Sequence, residues 1–120
     1  MRRGQLYTAS ARGAYTGKPR PVVILQDDRF DATASITVCP LTTSALEAPL
    51  LRIPIEPSTL NGLDRPGYLM VDKITTMPRD NLWEVLGRLG DDDILRLNRA
   101  VLVFLGLADA PSVPEGPLRR

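Results

Sequence analysis

Two short stretches hold side chains suited to chemistry on a phosphate. In Lys18-Pro19-Arg20-Pro21 the flanking prolines fix their own φ and push the residue before each toward extended backbone, so Arg20 is held in a narrow range of directions. A guanidinium so held matches phosphate oxygens in a planar fork and stays charged at any working pH, which suits it to a developing negative charge. The same residues also serve as a charged gatekeeper before the apolar run Val22 to Leu25, and local physics does not choose between the two readings. In "CPLTTS", Thr42, Thr43 and Ser44 place three hydroxyls after a buried strand. They can bind a phosphate or act as turn and capping groups.

Other chemistries are thinly supplied. The chain has no histidine and one cysteine, Cys39. Metal sites built from Cys and His, an internal disulfide and a histidine-activated Ser or Thr nucleophile are therefore excluded. Cys39 reads as a small buried strand residue and Trp83 as a core or interface anchor. Asp27-Asp28 with Asp31 reads as a strand-ending turn, and Asp91 to Asp93 as the acidic start of a helix. Neither has the spacing of a cation loop, and "GKP" lacks the glycines of a phosphate loop, so no metal and no cofactor are expected.

The totals suit one domain. At 120 residues the chain is long enough to bury a core without staples, and its net charge of +1 does not mark a strongly basic nucleic-acid binder. The charge is uneven, however. Met1 to Gln26 holds five cations and no acid, whereas the rest holds ten cations and fourteen acids. That +5 segment can attract phosphate, or can be a solvated face. No leader pattern and no run long enough to span a membrane is present, and with one unpaired cysteine the protein is expected to be cytoplasmic.

The elements that must position Arg20 and Thr42 are strands. "GQLYTAS" (4–10) alternates as a half-buried strand, and "PVVILQ" (21–26) is a central one with Pro21 as its first residue. "SITVCPL" (35–41), "LLRIPI" (50–55, with Pro54 marking an edge or bulge), "GYLMVDKI" (67–74) and "EVLGRL" (84–89) continue the series. "TTMPRDNLW" reads as a short helix with Thr76 as N-cap and Pro78 in its first turn. Asp91 to Leu105 is the main helix, capped by Asp91, with Ile94, Leu97, Val101 and Leu105 beside Leu95 and Leu102 in one stripe and Gly106 near its end. The expected fold is mainly β with α: a small, curved antiparallel barrel covered by a C-terminal helix. A domain over 1–108 would be followed by a Pro-rich disordered tail over 109–120.

The order of "RRGQLYT", "GKPRPVVILQDDRFD", "ITVCPLTT", "LLRIPIEP", "MVDKITTMPRDNL", "GRL" and "LNRAVLVFLGL" resembles the MazF/PemK family of toxin endoribonucleases over about Arg3 to Leu107. The resemblance implies an SH3-like barrel, a homodimer, metal-independent cleavage of single-stranded RNA at short sequences, and neutralisation by a cognate antitoxin protein. It places the family's catalytic arginine on Arg20 and its threonine on Thr42. Pro21 and Thr43, which flank this pair, join Arg12, Tyr15, Lys18 and Lys73 as expected RNA contacts. "ASARGAYTG" is the expected specificity loop, and it departs from the Gly-Ser-Glu-Gln type stretch of many relatives.

Physical chemistry and resemblance agree on one point. An RNA 2′-hydroxyl can attack its own adjacent phosphate, so a chain without a protein nucleophile can still cleave RNA. The expected products are a 2′,3′-cyclic phosphate and a 5′-hydroxyl, with Arg20 on the scissile phosphate and Thr42 fixing its orientation. The antitoxin is expected to lay an acidic, amphipathic C-terminal segment beside Arg20. Two rival readings are a gyrase inhibitor of the CcdB type and a non-catalytic SH3-like binding module. The first depends on the end of the terminal helix and not on an Arg/Thr pair, and here that helix is followed by "PSVPEGPLRR".

Overall fold

Val22, Val23 and Ile24 are consecutive apolar residues because their strand is covered on both faces. In the computed structural model, which describes residues 1–10, 19–44 and 51–109, β2 (Arg20–Ile24) lies between β1 (Gln5–Ala9) and β3 (Ser35–Thr42) in an antiparallel sheet. Val23 points to one core with Leu6, Cys39 and Leu41, while Val22 and Ile24 join Ile36, Val38 and Leu82 on the other side. This alternation is the two-residue period of a strand with two buried faces.

The remaining strands are β4 (Arg52–Ile55), β5 (Gly67–Met70), β6 (Thr75–Pro78) and β7 (Leu82–Arg88). The sheet has seven strands in the order β4-β5-β3-β2-β1-β7, with β6 paired to β3 off that path. It is barrel-like but not closed, as the sequence led us to expect of an SH3-like fold with a terminal helix. β3 divides one of its edges between two partners. Its first half, Ser35 to Val38, pairs with β6, and its end pairs with β5 through Leu41↔Leu69 and Thr42↔Tyr68. β4 pairs only with β5 among the described strands, so Pro54 lies in an edge strand as its missing N–H requires.

Several local expectations are corrected. "TTMPRDNLW" is not a helix: Thr75 to Pro78 form β6, followed by a 3-10 turn at Arg79–Asn81. The open edge of β3 outweighs the local helix-start signal, since Thr37 and Thr76 are register partners whose hydroxyls bond at 2.7 Å and Met77 packs on the second core. The expected strand 67–74 stops at Met70 and turns into a 3-10 segment, Val71–Lys73, which buries Val71. β7 begins at Leu82, two residues earlier than expected, because its N-terminal end pairs with Ala9. Pro21 stands second in β2, since Arg20 already pairs with Ala9. Trp83 is 64% exposed, so it is not a core residue of this chain.

The main helix α1 (Asp91–Phe104) is where the apolar stripe placed it, but Gly90 is its N-cap and Asp91 its first residue. Ile94 N–H donates to Gly90 O at 3.0 Å, and Asp91 to Asp93 occupy the first turn, where the helix dipole favours acids. At the other end Leu107 N–H reaches Leu102 O at 2.8 Å and Gly106 N–H reaches Val103 O at 3.0 Å, the two bonds of a Schellman cap around Gly106. Leu97 is buried in the main core, whereas Leu95, Leu102 and Leu105 face outward. Residues 110–120 of the expected tail lie outside the described residues.

The loop between β4 and β5 is fixed by a close backbone crossing. A Cβ on Gly62, whose φ is +73°, would lie 2.1 Å from Leu86 O, and one on Gly87 would lie 2.2 Å from Leu60 O. Only glycine at both positions permits this approach. Buried Asn61 ties the same loop: its Oδ1 accepts from Ser58 N at 3.0 Å and Leu63 N at 2.9 Å, and its Nδ2 donates to Glu56 O at 2.8 Å.

Candidate functional site

Antiparallel pairing brings the start of β2 to the end of β3. Val22 is the register partner of Pro40, and two residues further along that register stand Arg20 and Thr42. On the other edge of β3, Thr42 pairs with Tyr68 near the start of β5. Three chain segments thus meet around Thr42. They enclose a cleft of about 400 Å³, lined by Pro19 to Pro21, by Leu41 to Thr43 and by Leu63 to Gly67.

Each wall has a distinct origin. Pro19 and Pro21 restrict the backbone around Arg20, which is exposed at the cleft mouth. Thr42 is half-buried, and its Oγ1 accepts from Ser44 N at 3.1 Å. That bond uses one lone pair and leaves the hydroxyl proton free to donate. Gly67 closes the floor: a Cβ there would come within 3.2 Å of Leu41 Cδ2 and 3.4 Å of Thr42 O. The ionic side chains lining the cleft are Arg20, Arg65 and Asp64, a net positive charge.

Neighbouring titratable groups are engaged elsewhere. Burial pushes the Cys39 thiol up to about 12, so it is no thiolate nucleophile near neutrality. Asp27 is held below its ordinary value by its hydrogen bonds to Arg29, whose backbone N–H it caps at 2.8 Å. Asp28 is lowered chiefly by accepting Arg3 N–H at 2.7 Å, and it also pairs with Arg2 at 3.1 Å. Asp28 thus fastens the N-terminus to the turn after β2, and among the described residues no group of three His, Cys, Asp or Glu side chains is placed to hold a metal ion.

Of the residues singled out in the sequence, Arg20, Pro21, Thr42 and Thr43 share this cleft. Lys73 does not line it; it is exposed on the turn after β5. Arg12, Tyr15 and Lys18 lie outside the described residues. The wall from Leu63 to Gly67 was missed, including Asp64 and Arg65. A signal for it was present: Arg65-Pro66 repeats the Arg20-Pro21 pattern immediately before a strand. Buried Asn61, which braces that wall, was also missed.

The chain is similar to known proteins over most of its length. The family model described as "PemK-like, MazF-like toxin of type II toxin-antitoxin system" matches residues 2–105. A protein of Mycolicibacterium smegmatis named as a probable endoribonuclease MazF is 64% identical over 108 residues, covering 90% of this chain and 99% of the relative. An endoribonuclease MazF of Staphylococcus saprophyticus is 30% identical over 112 residues, covering 89% and 92% respectively. Among solved structures, an endoribonuclease in complex with its cognate antitoxin from a mycobacterial species superposes with a TM-score of 0.75 at 28% identity. It covers 90% of this chain and 97% of its own.

Proposed function

Because the chain belongs to the PemK-like, MazF-like toxins of type II toxin–antitoxin systems, we propose that the cleft between Arg20 and Thr42 is the centre at which it cleaves single-stranded RNA. The protein is an endoribonuclease toxin. The observation that carries the site is the meeting of a proline-restricted arginine and a threonine hydroxyl across one antiparallel register, in a cleft with net positive charge.

The chemistry follows from what the cleft holds. The substrate's 2′-oxygen attacks the adjacent phosphorus, the bond from phosphorus to the 5′-oxygen breaks, and a 2′,3′-cyclic phosphate and a 5′-hydroxyl result. The 2′ proton passes to solvent and the departing 5′-oxygen takes one from it, as the exposed cleft mouth allows. Arg20 donates to the non-bridging oxygens, whose charge grows in the pentacovalent state. Thr42 donates its hydroxyl proton to the same phosphate and sets the line of attack. Pro21 and Thr43 shape the cleft, and Arg12, Tyr15, Lys18 and Lys73 supply contacts along the rest of the RNA.

Two partners complete the reading. A cognate antitoxin occupies the cleft with an acidic, amphipathic C-terminal segment, which the net positive charge of the cleft supports. A second copy of the chain forms a homodimer, supported by exposed apolar side chains at Trp83, Val85, Leu95, Leu102 and Leu105. The site of action is the cytoplasm. Among the described residues no helix is long and apolar enough to cross a membrane.

The test is cleavage of long mixed-sequence RNA in EDTA by the purified protein, with Arg20→Ala and Thr42→Ala and mapping of new 5′ ends. Discrete cuts bearing 5′-hydroxyls, lost in both folded variants, are expected. Undiminished cutting by either variant would overturn the assignment of the site.

A further inference from the structure

Arg-Pro occurs twice in this chain, at Arg20-Pro21 and Arg65-Pro66, and both dipeptides line the same cleft. They approach the threonine from opposite sides, Arg20 level with it and Arg65 three residues before Tyr68, its partner in β5. β2 and β5 lie on opposite edges of the end of β3, with Pro40 paired to Val22 on one side and Thr42 to Tyr68 on the other. Neighbouring strands are spaced by ~4.8 Å, so β2 and β5 run roughly 10 Å apart on either side of Thr42. Resting on the reading of this cleft as the RNA-cleaving centre, we propose that Arg65 is a positioning residue that grips the phosphate next to the scissile one, so that the backbone is held on both sides of Thr42.

Three features support the role. Pro66 restricts Arg65 to extended backbone, as Pro21 restricts Arg20. The loop carrying Arg65 is braced by the bonds of buried Asn61 and by the crossing at Gly62 and Gly87, so its position is set before any ligand arrives. Among the described residues no carboxylate makes an ion pair with Arg65, even though Asp64 is its neighbour in the chain. Arg65 is also exposed. Arg20 shares that exposure, and position separates their roles: Arg20 stands across from Thr42, whereas Arg65 lies three residues before Tyr68, the register partner of Thr42, within reach of a neighbouring phosphate.

The test separates binding from chemistry. Affinity for a short mixed-sequence 2′-O-methyl RNA, which has no 2′-hydroxyl to attack with, is measured against salt for the wild type, Arg65→Ala and Arg65→Lys, and cleavage constants are measured on unmodified RNA. Arg65→Ala is expected to weaken binding roughly tenfold and to reduce the steepness of the log–log salt dependence by about 0.7, the share of one phosphate contact on a single strand. KM should rise while kcat at saturating RNA stays near the wild-type value, and Arg65→Lys should restore the salt dependence. Unchanged affinity and salt dependence would overturn the proposal, as would a loss confined to kcat. Failure of the underlying reading is seen separately, as RNA cutting that survives Arg20→Ala.

Discussion

Val22 and Pro40 are register partners, and that pairing carries Arg20 to a position across from Thr42. The site therefore depends on an inter-strand register and not on a flexible loop. Because a slip of one residue would send every side chain of β2 to the opposite face, the two buried cores hold the site as firmly as they hold the strand.

Thr42 is expected to act through its hydroxyl alone. Thr42→Ser should keep most of the cleavage rate, whereas Thr42→Val, close in shape but without the hydroxyl, should lose roughly a hundredfold or more. Circular dichroism should be unchanged in both, since the residue ends a strand and is only half-buried. Single-turnover cleavage of the mapped RNA site measures the difference.

Cys39 predicts a limit to stability in alkali. Burial penalises the thiolate and pushes the thiol from the ordinary 9.0 up to about 12 in the fold. The unfolded chain alone releases the proton above pH 9, so the stabilising contribution is whole below that pH. It is lost as pH rises toward 12, by an amount on the order of 4 kcal/mol. Urea midpoints from pH 8 to pH 11 should fall more steeply for the wild type than for Cys39→Ala, and alkylating reagents should reach the thiol only on unfolding.

Asn61 is expected to matter more than its distance from the chemistry suggests. Asn61→Ala leaves the Leu63 and Ser58 backbone N–H groups and Glu56 O without their partner, which costs about 2 kcal/mol. Equilibrium denaturation should show that loss. KM for RNA should rise as well, because the loop carries one wall of the cleft.

Arg52 and Asp72 form an ion pair that ties β4 to the turn after β5, and Arg52 is only 8% exposed. The Arg52 Nε has no partner among the described residues. Removing Asp72 leaves the buried Arg52 charge unpaired, so Asp72→Ala should cost about 3 kcal/mol. The double change Arg52→Met with Asp72→Leu should recover most of it, because a packed apolar pair carries no desolvation penalty. A double-mutant cycle in urea reads both outcomes.

What the sequence made legible was what local pattern decides. The run Val22 to Ile24 reads as a doubly buried strand from its β-branched residues, and Leu97 with its i±3 and i±4 neighbours reads as a helix. Segment 75–83 was misread because Thr76 and Pro78 carry a local helix-start signal, while the deciding fact, an open edge on β3, belongs to residues some forty positions away. Of the two readings of Trp83, the core one fails for a related reason: its size favours burial, but it falls on an edge strand that leaves it outside. Asn61 stayed hidden because nothing local marks its role until β7 crosses the loop, whereas Arg65 is marked locally by the Arg-Pro pattern it shares with Arg20-Pro21.

That crossing has a consequence for the thermodynamics of association. With Gly62 against the backbone of Leu86 and Gly87 against that of Leu60 and Asn61, the far wall of the cleft loses its freedom when the protein folds and not when RNA arrives. Association at that wall is then a docking onto a fixed surface, and calorimetry of binding should register little of the entropy loss that accompanies the ordering of a mobile loop.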